Sequence, residues 1–180
     1  MNHPSASVTP ARRHGRAAPA LTPTAEAERL VSNFEHALWT AHTAFERWVQ
    51  KCMASIGETR LTFVDCMVLH AVCHRARSTR LNDIGFVLNM DDSHVVAYSI
   101  RKLERLGLLD SVRQGKEKFY RASPAGADLV AGYRAVREEL LIEALAHFPG
   151  TAGEIAEATD TVRALAGFYD QSARRAAVSL

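Results

Sequence analysis

The sequence predicts a mainly α-helical fold, in which a winged helix-turn-helix with a small β-hairpin wing lies between long terminal helices. Three observations predict it. Apolar residues recur at helical spacing over most of the 180 residues. Two short helical segments meet at a tight turn at Asn89 and Met90. Directly behind them, the pattern changes to the alternation and turn residues of a β-hairpin at residues 109–121.

Composition limits the classes of protein to consider. Apolar residues make up 47% of the chain, charged residues 23%, and the formal net charge is +2, which is a globular balance. No apolar run approaches the roughly 18–20 residues of a membrane span. Three widely spaced cysteines cannot form a disulfide framework, so we expect a reducing cytoplasm. No signature of a phosphate-binding loop, a hydrolase nucleophile or a zinc protease occurs, so we predict no enzyme, no cofactor and no metal site.

The chain begins with a segment that cannot fold alone. Residues 1–23 contain four of the six prolines and three arginines but no acidic residue, and they offer too little apolar surface for a core. We predict a flexible basic N-terminal arm. A transit peptide is an alternative for the same composition, whereas a secretory signal is disfavoured because no apolar stretch is present.

Residues 24–58 predict a long N-terminal helix that ends at Gly57. Its apolar residues step by three and four in turn, as in a coiled-coil seam. They are Val31, Phe34, Leu38, Ala41, Phe45, Trp48 and Cys52. A seam of this length is more than a small core needs, so we predict a dimerisation helix.

Residues 59–123 predict the winged helix-turn-helix module. We expect Thr62 to cap its first helix, Asn82 to cap a short helix over 83–88, and Asp91 or Asp92 to cap a helix that reaches Leu106. Three residues of that last helix form an apolar stripe that faces inward: Val96, Ile100 and Leu103. Residues 109–113 and 118–121 then predict two strands joined by turn residues, which is the wing.

Residues 124–180 predict two C-terminal dimerisation helices. Ser123 and Pro124 open the first, which we expect to run as one helix to Phe148. Thr151 and Glu154 form a capping box for the second. Its apolar seam again steps by three and four, through Ile155, Ala158, Val162, Leu165, Tyr169 and Ser172.

The order of these elements resembles the MarR family of winged-helix transcription regulators. The resemblance is carried by LNDIGFVLNM at 81–90, VAYSIRKLERLGLL at 96–109 and SPAG at 123–126. It implies a homodimeric DNA-binding regulator, commonly a repressor that a small molecule releases from DNA. The wing departs from the family pattern, because the tip reads RQGKEK at 113–118 where the family often has an Asp-x-Arg sequence.

The helix over 92–106 is the candidate DNA-reading element. Its outward N-terminal part offers groups that can contact base edges in a major groove: Ser93, His94, Ala97 and Tyr98. Basic residues one turn later and on the wing are candidates for phosphate contacts: Arg101, Lys102, Arg113, Lys116 and Lys118. Charge supports this division, since residues 97–121 hold seven basic and three acidic residues, whereas 128–160 hold two basic and seven acidic residues.

The two long seams at opposite ends of the chain favour a two-fold dimer. Such a dimer would present two reading helices to a pseudo-palindromic operator on double-stranded DNA. A helical protein-interaction module that kept the winged-helix scaffold without DNA reading is the alternative function.

An effector site is also implied by the resemblance. Aromatic residues that could line a pocket for a small aromatic or carboxylate ligand are Phe34, Trp39, Phe45, Phe63, His70 and Tyr133; ordinary packing is the alternative for each. Cys66 and His70 lie four residues apart, and Cys73 follows one turn on, so a thiol- or metal-responsive regulator is a further alternative. Cys52 is the thiol that we expect nearest a partner subunit.

Overall fold

A computed structural model describes residues 22, 24–75 and 78–178. The chain divides into two compact units, Met1–Phe45 and Glu46–Leu180, and each is described by itself. Apart from residue 22, the predicted N-terminal arm falls outside the described residues. The arm, and the transit peptide considered as its alternative, therefore stay predictions.

Helix α1 spans Ala25–Ser55, which confirms the predicted N-terminal helix. Acidic Glu26 and Glu28 lie in its first turn, where they complement the helix dipole. Within the first unit its large apolar side chains are exposed, namely Leu30, Val31, Leu38, Trp39 and Phe45. Within the second unit the end of α1 contributes three buried residues, Val49, Cys52 and Met53.

The second unit contains the remaining elements in the predicted order. They are α2 (Phe63–Cys73), β1 (Thr79–Arg80), α3 (Leu81–Val87), α4 (Ser93–Arg105), β2 (Leu109–Gln114), β3 (Glu117–Ala122), α5 (Pro124–Arg137), a π-helical turn (Glu138–Ile142), α6 (Glu143–Leu145) and α7 (Ala152–Val178). The fold is therefore mainly α with a small antiparallel sheet, as predicted.

Most helix caps follow the sequence signals. Thr62 caps α2 in a reciprocal box with Asp65, Asp92 caps α4, and Ser123 caps α5. The predicted cap at Asn82 is wrong. Helix α3 begins at Leu81 directly after strand β1, and the backbone N–H of Arg80 donates to Oδ2 of Asp83 at 3.3 Å. The strand pairing extends to Arg80, and α3 begins at Leu81, two residues before the first residue of a helix capped by Asn82.

The three strands form an antiparallel sheet in the order β1-β3-β2. Strands β2 and β3 make the predicted wing, with Gln114 opposite Glu117 and a two-residue tip between them. Gly115 occupies a positive φ of 63° in that tip, a conformation that glycine adopts without a steric cost. Strand β1 was not predicted, because two residues are too short to show an alternating pattern.

One apolar core joins α1, α2, α3, α4, the sheet and α5 within the second unit. Its fully buried members include Met53, Cys66, Val68, Leu69, Ile84, Val96, Ile100, Leu103 and Val130. The stripe predicted for α4 is thus buried as expected, and it seats the helix on α2 and α3. This packing determines which side of α4 remains outside.

The C-terminal helices differ from the prediction in one respect. We expected a single helix from Pro124 to Phe148, but a π-helical turn at Glu138–Ile142 interrupts it. Leu140 lies within this turn, and Phe148 follows α6, which ends at Leu145; both side chains are exposed. The capping box before α7 is confirmed. None of the helices in the described ranges has the length and apolar content needed to cross a membrane.

Candidate nucleic-acid interface

Helix α4 presents one continuous exposed face. Its 13 residues bury Val96, Ile100 and Leu103 against the core. Side chains at spacings of four and three lie on a common face of a helix. His94, Tyr98 and Arg101 follow this spacing and are exposed. The helix is about 20 Å long at 1.5 Å per residue, and an α-helix fits the major groove of DNA.

The four predicted base-reading residues lie at the N-terminal part of this face. Ser93 and His94 are exposed in the first turn, Tyr98 is 60% exposed, and Ala97 is half-buried beside them. Ser93 and His94 offer hydrogen-bonding groups, whereas Ala97 and the Tyr98 ring offer apolar contact suited to a thymine methyl group. Their use in base reading remains a prediction.

Arg105 is a functional candidate that the sequence reasoning missed. With Tyr98, Arg101 and Glu104 it lines an open groove of about 680 Å³ on the exposed side of α4. The signal was available in the sequence, because His94, Tyr98, Arg101 and Arg105 step by four, three and four. Both arginines are exposed, and neither is part of an ion pair among the described residues.

Lys102 does not face outward as the prediction required. Its Nζ donates to Oδ2 of Asp65 at 2.6 Å, and its side chain is only 19% exposed. The same carboxylate is 3% exposed, and its Oδ1 accepts a hydrogen bond from Ser99 Oγ at 2.8 Å. The positive charge of Lys102 is therefore engaged inside the domain, so we correct its role from a phosphate contact to a link between α2 and α4.

The basic residues of the wing also divide into exposed residues and residues that form ion pairs within the domain. Arg113 on β2 and Lys116 in the tip are exposed. Lys118 instead donates to both carboxylate oxygens of Glu104, at 2.8 and 3.0 Å, and its Nζ lies 5.0 Å from the centre of the Tyr120 ring. We therefore correct Lys118 from a phosphate contact to a residue that fastens β3 to α4.

Ion pairs determine which basic residues of segment 97–121 keep an unpaired positive charge. Glu104 pairs with Lys118, Asp110 with Arg121 at 3.6 Å, and Glu117 with Arg80 at 2.9 Å. The acidic residues among 97–121 are thus all paired, and Lys102 is paired with Asp65. The basic residues of this segment outside such pairs, among the described residues, are Arg101, Arg105, Arg113 and Lys116.

A second cluster lies in the second unit away from α4. The imidazole of His70 on α2 meets the ring of Tyr133 on α5 edge to face, with centroids 4.8 Å apart. Burial, together with the charges of His74, Arg134 and Arg137, lowers the pKa of His70 to about 4. His70 Nε2 is buried without a hydrogen-bond partner, so this cluster has unused hydrogen-bonding capacity.

The other predicted effector residues lie in different surroundings. Phe63, at the start of α2, packs against the core. Phe34, Trp39 and Phe45 belong to the first unit. There, Trp39 is 66% exposed and its ring lies 6.4 Å from that of His42, while Phe45 is 44% exposed and Phe34 is half-buried.

The cysteines are core residues. Cys52 and Cys66 are buried, and Cys73 is half-buried. The expectation that Cys52 faces a partner subunit is wrong, because it packs in the core of its own chain. Burial raises the pKa of Cys66 to about 12, and the reactive thiolate is scarce at such a pKa. The described residues contain no group of three or more metal-ligating side chains.

Comparison with known proteins agrees with this geometry. Residues 61–126 match the family model described as "Winged helix DNA-binding domain". This segment contains α2, α3, α4, the sheet and the start of α5. No curated protein sequence matches the chain.

Solved structures of regulators share the fold over most of the chain. MarR from Staphylococcus aureus, in complex with salicylate and kanamycin, is 13% identical with a TM-score of 0.65, over 82% of this chain and 97% of that one. Reduced AbfR bound to DNA is 18% identical with a TM-score of 0.63, over 78% and 97%. Streptococcus pneumoniae FabT in complex with DNA is 12% identical with a TM-score of 0.62, over 78% and 98%. At these identities the likeness establishes the fold.

Proposed function

We propose that this chain, which has the winged-helix fold of MarR family transcription regulators, is itself a sequence-specific, DNA-binding transcription regulator of that type. The observation that carries the proposal is the exposed face of α4, where base-reading groups and unpaired arginines lie in one line. A regulator of this kind acts by occupying DNA in the cytoplasm and performs no catalysis.

In this mechanism α4 enters a major groove. Ser93, His94, Ala97 and Tyr98 lie at its N-terminal part, where they would meet base edges. Arg101 and Arg105 would meet phosphates along the same helix, which positions the protein without reading sequence. The capping carboxylate of Asp92 accepts from the N–H of His94 at 2.8 Å. It occupies the helix N-terminus, so phosphate contacts there are disfavoured.

The wing would follow the backbone beside the same groove. Arg113 lies near the end of β2 and Lys116 lies in the tip, and the pair formed by Lys118 and Glu104 holds β3 against α4. Because β3 is held against the reading helix, an unpaired cation elsewhere on the hairpin can contact a phosphate, or the narrow minor groove, at a fixed distance from the bases. The wing therefore adds affinity, and its charged tip replaces the Asp-x-Arg sequence of many relatives.

We propose that the chain acts as a homodimer on a pseudo-palindromic operator. Helix α7 has no buried residue, and its apolar side chains Ile155, Val162, Phe168 and Tyr169 are 39–66% exposed. In the first unit, apolar residues of α1 are exposed as well. Apolar surface of this extent is typical of an interface between subunits.

We propose that a small aromatic or carboxylate effector binds the protein and releases it from DNA. The effector would thereby relieve repression. The unpartnered Nε2 of His70 beside Tyr133 supports this proposal, because a buried polar atom without a partner can contact a ligand. NMR titration with salicylate and related acids tests the proposal, and we expect the His70 and Trp48 resonances to shift.

Selection of bound duplexes from a random library tests the proposed function. We expect enrichment of one pseudo-palindromic sequence whose half-sites are separated by about one helical turn, 10–10.5 base pairs. A variant in which Arg101 and Arg105 are both alanine serves as the control. Equal recovery of all sequences would favour the alternative, a protein-interaction module that does not read DNA.

A further inference from the structure

A buried polar cluster joins the start of α2 to the flank of the reading helix. Oδ2 of Asp65 accepts from Lys102 Nζ at 2.6 Å and from the backbone N–H of Thr62 at 2.8 Å. Its Oδ1 accepts from Ser99 Oγ at 2.8 Å. Asp65 and Ser99 are 2% and 1% exposed, so the carboxylate is almost fully enclosed while three donors converge on it.

We propose that Asp65 is a positioning residue for DNA reading, which sets the rotation of α4 about its axis through Ser99 and Lys102. This inference rests on the proposed function. It assigns roles in recognition to three side chains that need not touch the DNA.

The position of the two contacts on α4 carries the argument. Ser99 and Lys102 are three residues apart and share one flank of the helix. The apolar stripe of Val96, Ile100 and Leu103 lies on the adjacent side, and the exposed face begins on the other. Apolar packing is non-directional, whereas hydrogen bonds are directional. A flank held by two hydrogen bonds therefore restricts rotation of α4 more sharply than the stripe alone.

The carboxylate of Asp65 and the ammonium of Lys102 stabilise each other's charged form. Burial by itself raises the pKa of Asp65, but hydrogen bonds from Lys102, Thr62 and Ser99 outweigh it and lower the pKa. The carboxylate therefore stays ionised, and the bonds that it accepts are of the charge-assisted kind. A neutral residue at position 65 would leave the ammonium of Lys102 without its partner in a largely enclosed place.

Asp65 also belongs to the capping box of α2, since Thr62 Oγ1 accepts from the N–H of Asp65 at 3.3 Å. The same residue thus begins α2 and holds α4. The other end of α2 carries His70, which contacts Tyr133. A shift of α2 along its axis would therefore move Ser99 and Lys102, and with them the side chains presented to DNA.

The test separates positioning from phosphate binding and from general stability. Dissociation constants of Ser99→Ala, Lys102→Met and Asp65→Asn are measured for the selected operator and for a scrambled duplex, each at several salt concentrations. Lys102→Arg, which keeps the charge and can still pair, is the conservative variant. Val68→Ala, a buried position on α2 without a polar role, serves as the control for lost stability.

We expect Ser99→Ala and Lys102→Met to reduce the ratio of operator to scrambled affinity at least tenfold while the salt dependence stays unchanged. Lys102→Arg should restore most of the ratio, and Val68→Ala should keep it despite a lower unfolding midpoint. A salt slope reduced by about 1 in Lys102→Met would mean a phosphate contact and would overturn the proposal. An unchanged ratio in Ser99→Ala and Lys102→Met would overturn it too.

The outcome also distinguishes this inference from the function on which it rests. If the wild-type protein selects no sequence, the proposed function fails and the positioning role fails with it. If the wild type selects an operator and the three variants select it with equal preference, only the positioning role fails. Asp65→Asn could fail to fold, and in that case Ser99→Ala and Lys102→Met decide the question.

Discussion

Arg101 and Arg105 are exposed side chains on one face of α4, and their guanidinium groups are outside the ion pairs of the described residues. We predict that Arg101→Ala and Arg105→Ala each weaken binding about equally on all sequences and lower the salt slope by roughly 1. Fluorescence anisotropy at several salt concentrations measures both. A changed base preference with an unchanged slope would contradict the assignment to phosphates.

Ser93 and His94 should behave in the opposite way. Each offers hydrogen-bonding groups at the N-terminal part of α4, where base edges would lie. We predict that Ser93→Ala or His94→Ala relaxes the preference at one or two base positions, at a cost of about 1–3 kcal/mol each, and leaves the salt slope unchanged. Repeated library selection with each variant measures this. Identical selected sequences would remove that residue from the reading set.

His70 gives a prediction about stability and pH. The pKa of His70 is about 4 in the folded chain and about 6.5 in an unfolded one. The unfolded state therefore binds more protons between these values, so stability is complete above pH 6.5 and decreases as the pH falls toward 4. We expect about 1–2 kcal/mol of this loss by pH 5. Urea unfolding at pH 7 and pH 5 measures it, and His70→Gln should lose correspondingly less; equal losses would exclude His70 as the source.

Lys102 marks the limit of sequence reasoning at the scale of single residues. Spacing correctly predicted that Val96, Ile100 and Leu103 point inward, because an apolar stripe needs only the helical period. The same reasoning assigned Lys102 to phosphate, since a lysine beside the stripe is usually solvated. Its partner Asp65 lies 37 residues away in sequence, and no local pattern connects the two. Arg105, by contrast, was predictable from its spacing.

At the scale of elements, long patterns were predictable and short ones were not. The 31 residues of α1 and the 27 of α7 showed their period over many turns. Strand β1 has two residues, and its existence depends on pairing with β3. The π-helical turn at 138–142 also left no signal, because a single inserted residue does not alter composition. The pairing of β1 depends on a contact between elements that are distant in the chain.

The start of α5 supplies a prediction at this scale. Gly126 lies against the carbonyl group of Leu108, and a Cβ atom at this position would collide with that backbone oxygen. We therefore predict that Gly126→Ala destabilises the protein by about 1–3 kcal/mol, as overpacking does. Urea unfolding measures the change.

Gly132, on the same helix, is the matched control for Gly126. A Cβ atom there would meet only the Ile56 side chain, at 3.4 Å and beyond. Gly132→Ala should therefore raise the helix stability by about 0.5–1 kcal/mol. Similar effects of the two substitutions would mean that the contact of Gly126 with Leu108 is unimportant.

At the scale of the whole molecule, the exposed apolar residues of α7 support the proposed homodimer. None of the residues of α7 is buried. Its apolar side chains Ile155, Val162 and Phe168 are 47%, 39% and 66% exposed. A helix with an apolar face and no buried residue gains little packing stability from its own chain. We propose a second copy as the partner, because the winged-helix module carries one candidate reading helix and a two-fold dimer would present two.

We predict that the protein sediments as a homodimer of about 40 kDa, twice the 19.8 kDa of one chain. Val162→Asp and Phe168→Asp should shift it toward the monomer, since each places a charge on apolar surface that the interface would bury. Thr161→Asp, at an exposed polar position of α7, should leave the dimer intact, and so should deletion of residues 1–23. Light scattering coupled to size-exclusion chromatography measures the mass. Monomers after the deletion would mean that the N-terminal arm is part of the interface. Dimers in all three substitution variants would mean that the interface lies outside α7.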